Sequence, residues 1–145
     1  MATELSILET LTDTAVDSAL GYETASEKAD NAGLKQTLRE QAEKRRDTVR
    51  MLNAEIVRLG GEPRESGSTM GAAHRAFTSL ADAFEDSNEA AVERVEEGED
   101  YIEKKFREAL DGRDLTAETR AVVQRAHGEI SKGERISDTL KRQFS

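Results

Sequence analysis

Between Asn88 and Leu110 the sequence NEAAVERVEEGEDYIEKKFREAL sets Val92, Val95, Ile102, Phe106 and Leu110 at helical steps. That spacing predicts one apolar stripe along an α-helix. Glu99 lies on the same stripe, four residues after Val95 and three before Ile102. A carboxylate facing a core is unfavourable unless a charged or hydrogen-bonding group meets it. Gly98 beside it weakens a helix by roughly 1 kcal/mol relative to alanine, which predicts close approach of something bulky at that position. The partner of Glu99 is therefore the central question the sequence poses.

Four further segments repeat the helical period. The first helix is expected over about residues 3–29, with Leu8, Leu11, Ala15, Ala19, Tyr22, Ser26 and Ala29 on one face. Thr3 can cap it, with Ser6 and Glu9 as an alternative capping box. Asp30-Asn31-Ala32-Gly33 is a turn signal short enough to make the next helix antiparallel. The second helix is expected over about 34–59, on Leu38, Ala42, Arg45, Val49, Leu52, Ile56 and Leu59. Arg45 is on that stripe, whereas Lys44 and Arg46 fall off it. Its guanidinium either snorkels to water or meets a buried partner.

Gly60-Gly61 followed by Glu62-Pro63 ends the second helix. A short helix over about 69–84 follows, on Met70, Ala73, Phe77, Leu80, Ala81 and Phe84. The stripe helix then spans about 88–110, with Asp86 and Glu89 as a capping pair, and Asp111-Gly112-Arg113-Asp114 closes it. The last helix is expected over about 116–142, on Val122, Val123, Ala126, Ile130, Gly133, Ile136 and Leu140. Short first and last turns with one long crossover are the connectivity of ferritin-like bundles. The reading is an all-α, ferritin-like four-helix bundle with an extra short helix in the crossover between helices 2 and 3. Residues 1–145 are expected to form a single domain.

Composition narrows the function classes. Lys and Arg number 21 against 30 Asp and Glu, a formal net charge of -9. That balance disfavours nucleic acid and anionic membrane as partners. There is no cysteine, which removes thiolate metal sites and thiol catalysis. No run approaches the roughly 20 apolar residues of a membrane span. The opening MATELSILETLTDTAVD has acids and no basic region, unlike a signal peptide. No Gly-x-Ser-x-Gly elbow or phosphate loop accompanies the serines and threonines. His74, in the basic dipeptide with Arg75, reads as a surface or packing residue.

The run Leu59-Gly60-Gly61-Glu62-Pro63, then Gly67-Ser68, Gly71-Ala72, His74-Arg75, Gly98-Glu99-Asp100 and Phe106-Arg107-Glu108-Ala109-Leu110, carries a resemblance. This ordered set resembles a bacterial family of ferritin-like four-helix-bundle proteins catalogued as a domain of unknown function. The resemblance covers nearly the whole chain. It implies a ferritin-like fold and a bacterial, cytoplasmic protein, and it brings no established activity.

Ferritin-like di-iron sites take one Glu from each of two helices and Glu-x-x-His from each of the other two. Glu23 and Glu99 could supply the single carboxylates. The second helix offers Ala42-x-x-Arg45, or Glu43-x-x-Arg46 one residue on, and the last offers only Gln124-x-x-His127. An arginine at the centre would put a fixed positive charge where a dication should sit. The expected arrangement is a core polar cluster in which Arg45 replaces the metal. It bridges Glu99 and Glu23, with Gln124 or Tyr22 completing the hydrogen bonds. No catalytic residue and no cofactor is assigned.

Function is accordingly read as non-enzymatic and dependent on protein contacts. The alternative is a di-iron or di-manganese oxidase or metal storage protein using Glu23, Glu99 and His127. A DNA-protecting cage is a third reading, opposed by the acidity of the chain. A homodimer and a monomer are both compatible with the small-residue stripes.

Overall fold

The computed structural model describes residues 3–65 and 87–144. Among them are four helices: α1 (Glu4–Lys28), α2 (Ala32–Arg58), α3 (Ser87–Asp111) and α4 (Ala117–Phe144). No strand occurs among the described residues. The short helix expected over about 69–84, the motif residues there and the Asp86 cap lie outside them.

Local chemistry sets the helix ends. Thr3 and Ser6 form a reciprocal capping box at α1, each hydroxyl accepting the other's backbone N–H at 3.0 Å. Asn31 Oδ1 accepts the Leu34 N–H at 2.9 Å, so α2 begins at Ala32 and takes Gly33 into its first turn. The turn is therefore tighter than the Asp30–Gly33 signal predicts. At the other end of α2, Gly60 adopts φ 89°. Its N–H reaches Val57 O at 3.0 Å while that of Gly61 reaches Ile56 O at 2.9 Å. This is the Schellman arrangement that a left-handed glycine permits.

Helix α1 packs on α2 and α3, and α4 closes the bundle against α3 and α2. Asn88 Oδ1, at the start of α3, accepts the backbone N–H groups of Asp30 and Asn31 at 2.8 and 3.0 Å. The Glu4 carboxylate, at the start of α1, accepts the backbone N–H of Thr116 ahead of α4. These two links place α3's start beside α1's end and α4's start beside α1's start. Every neighbouring pair is consequently antiparallel, and α2 runs parallel to α3 across the diagonal. Beyond α2, Arg64 folds back over α1, with Nη2 2.7 Å from Asp13 Oδ2, and Asn53 holds its backbone.

The interior divides into two apolar regions. The lower one gathers Leu8, Leu11, Val16, Val49, Leu52, Ile56, Ile102, Phe106, Val123 and Ile130. The upper one is built from Tyr22, Leu34, Leu38, Val92, Val95 and Leu140 with Ala25, Ala29, Ala42 and Ala91. Alanines at those facing positions let the helices close on one another there. Between the two regions each helix contributes one polar or minimal residue: Ser18, Arg45, Glu99 and Gly133.

Candidate functional site: a buried ion pair at the middle of the bundle

The stripe positions that carry Ala42 and Val49 inward also carry Arg45 inward. Those that carry Val95 and Ile102 inward do the same for Glu99. Arg45 is 3% exposed and Glu99 1%. Arg45 Nη2 donates to Glu99 Oε2 at 2.8 Å, and Nη1 donates to Ser18 Oγ at 2.6 Å. Ser18 Oγ in turn donates to Glu99 Oε1 at 3.4 Å, closing a triangle across α1, α2 and α3. Tyr22 lies under the guanidinium, whose Cζ is 5.6 Å from the ring centroid.

Burial opposes the charge on Arg45, but the adjacent Glu99 carboxylate, by its field and its hydrogen bond, outweighs it. The arginine pKa is raised as a result. Burial, and then the negative Glu99, push the Tyr22 phenol well above its ordinary value of 10.0. Tyr22 is neutral at any physiological pH, and its buried hydroxyl has no hydrogen-bond partner among the described residues.

The fourth wall is Gly133 of α4. A β-carbon there would lie 2.6 Å from Glu99 Oε2 and 2.7 Å from Arg45 Nη2. Gly98, where the sequence predicts a close approach, is exposed and has nothing within 4 Å of an added β-carbon. The glycine that admits the ion pair is on the helix facing Glu99, not beside it.

Other sequence-named residues sit elsewhere. Glu23 turns to the bundle edge, where its Oε1 accepts Arg46 Nη2 at 2.7 Å; Arg46, not Arg45, holds it. Gln124 is exposed and takes no place in the cluster, because Val123 and Ala126 occupy the inward positions of that turn. His127 Nε2 is 2.9 Å from Glu103 Oε2 on the flank of α3 and α4. Glu23, Glu99 and His127 therefore face three different partners. No group of three or more His, Cys, Asp or Glu that could hold a metal ion occurs among the described residues.

Sequence reasoning missed Ser18, Gly133 as the gap, and Glu103 as the partner of His127. Ser18 was findable: it is three residues after Ala15 and four before Tyr22, on the buried side of α1.

Chemically, the cluster holds opposite charges in place, with its carboxylate and guanidinium shut off from solvent. A general base or nucleophile has to reach its substrate, and at 1% exposure Glu99 does not. No helix among the described residues is long and apolar enough to cross a membrane.

No curated protein matches the chain in sequence. The family model described as "Domain of unknown function (DUF2383)" matches residues 3–112. That match takes in α1, α2 and α3, and with them Ser18, Arg45 and Glu99. The chain belongs to this family of proteins carrying a domain of unknown function, DUF2383.

Proposed function

We propose that this chain is a non-enzymatic, ferritin-like bundle of the bacterial cytoplasm that acts through contacts with other proteins. In it the Arg45–Glu99 pair replaces a di-metal centre. The observation that carries the reading is the 2.8 Å contact between Arg45 Nη2 and Glu99 Oε2 at the middle of the bundle. A permanent guanidinium cation against the inward carboxylate competes with any dication for the same oxygens.

The donor set supports the same conclusion. Ferritin-like di-metal sites require four carboxylates and two imidazoles converging between the helices. Here Glu99 is held by Arg45 and Ser18, Glu23 by Arg46, and His127 by Glu103. Among the described residues, the donors so held do not make up that set. Fold alone is no warrant for oxidase or storage chemistry.

Metal analysis after incubation with iron(II) and manganese(II), followed by desalting, tests the reading. Far less than one ion per chain is expected, with the same melting temperature in excess chelator. Stoichiometric metal, or a large chelator-induced drop in melting temperature, overturns it.

A further inference from the structure

The seam between α2 and α4 is closed at its lower end and open from the middle of the bundle upward. At the lower end Thr119 Oγ1 donates to Glu55 Oε2 at 2.7 Å, and Arg58 reaches Glu118 at 3.4 Å. From the middle of the bundle upward, Lys44 of α2 faces Lys132 and Arg135 of α4 across a groove of about 460 Å³. Ile136, Thr139 and Leu140 complete its lining. Positions 132, 135, 136, 139 and 140 recur at helical steps and so share one face of α4. Ile136 and Leu140 belong to the upper apolar region, so the groove opens onto the side of the core.

The three charged side chains that line it, one on α2 and two on α4, are all cationic. Lys132 keeps an exposed pair with Glu129 at 2.8 Å. Among the described residues neither the Lys44 ammonium nor the Arg135 guanidinium meets an acidic side chain. In a chain with net charge -9 such a convergence is against the average, and like charges across a seam repel unless an anion lies between them. The groove is wide open to solvent, so a ligand there would lie along it and not be enclosed. A floor of two aliphatic side chains is too small for the apolar face of a partner helix, whose interface needs on the order of 1,000 Å².

We infer that this groove is a binding site for a small organic anion with a short apolar body: a carboxylate or phosphate head between Lys44, Lys132 and Arg135, and a tail on Ile136 and Leu140. The site is separate from the buried ion pair, and it stands whether or not the bundle binds metal.

Octanoate is the probe, followed by amide chemical-shift mapping of the full chain at low salt, with octanol and inorganic phosphate as tail-only and head-only controls. Saturable shifts centred on Lys44, Lys132, Arg135, Ile136 and Leu140 are expected, weakening as salt is added. The double variant Lys44→Glu/Arg135→Glu, both positions exposed, is expected to keep its helicity and melting temperature and to lose about tenfold or more in affinity. Shifts that are absent, scattered over the surface, or unchanged in the double variant overturn the site. Octanol binding as well as octanoate would remove the cations from recognition, and phosphate reproducing the full response would remove the apolar floor; either result overturns the assignment.

Discussion

Gly133 of α4 and Glu99 of the neighbouring α3 meet so closely that an added methyl group would have to displace the tips of the ion pair. An added β-carbon would lie 2.6 Å from Glu99 Oε2. Helix propensity favours alanine over glycine by about 1 kcal/mol, whereas forcing an extra methyl into a filled layer commonly costs about 1–3 kcal/mol. Packing should win narrowly. Gly133→Ala is expected to lose up to about 2 kcal/mol in urea unfolding. Gly98→Ala, on an exposed helical position with nothing nearby, is expected to gain about 0.5–1 kcal/mol. Equal gains from both substitutions would mean that the central layer is not closed as described.

The pair itself should behave as a unit. Arg45→Met leaves Glu99 charged and buried, and Glu99→Leu leaves Arg45 in the same state; each is expected to lose about 3–5 kcal/mol. Together they remove both charges and can fill the layer with apolar volume. The double variant is therefore expected to lose clearly less than the sum, with a coupling of about 1–3 kcal/mol in a double-mutant cycle. Strict additivity would show that the two side chains do not depend on one another.

How much of this was legible follows from what a helical stripe encodes. Arg45 and Glu99 were visible because each interrupts a run of inward apolar residues whose phase is set by several neighbours. Glu23 was misplaced by one residue of rotation: with Tyr22 inward, the next position turns about 100° toward the edge and meets Arg46. The same rotation carries Gln124 outward once Val123 is buried. Gly98 drew attention by adjacency in sequence to Glu99, but adjacency on a helix is separation in space. Gly133, three residues after the buried Ile130, shares its face and meets the acid. Which helix would lie opposite Glu99 is a tertiary fact that no single helix pattern contains.

A second acid, Glu134, is held against its preference. Burial, and then Asp100, Glu103 and Asp138, raise its pKa above the ordinary 4.5. The folded state therefore favours the protonated carboxyl. Well below pH 4.5 both folded and unfolded chains are protonated there, and no penalty exists; as pH rises past 4.5 the penalty grows, and above the elevated folded pKa it is complete and persists. Glu134→Gln is expected to raise the melting temperature by about 1 °C or slightly more at pH 7. That gain should shrink toward zero by pH 4. A gain independent of pH would assign it to something other than charge repulsion.

Glu55 works in the opposite sense at the lower end of the α2–α4 seam. Arg58 donates to its two oxygens at 2.8 and 2.5 Å, and Thr119 adds a third bond at 2.7 Å. The hydrogen bond from Arg58, helped by that from Thr119, outweighs burial and lowers its pKa below 4.5. A depressed carboxylate stabilises the fold fully above its unfolded pKa and stops doing so as pH falls through the lower folded value. Glu55→Gln should consequently melt about 2–4 °C below the parent chain at pH 7, and the two curves should converge as pH is taken below 4. Thr119→Val retains the charge and the arginine, so it should show a smaller loss with the same acid convergence. If the Glu55→Gln deficit instead persisted undiminished at low pH, the lost contact would be one of shape and packing, and the seam's lower clasp would not be electrostatic.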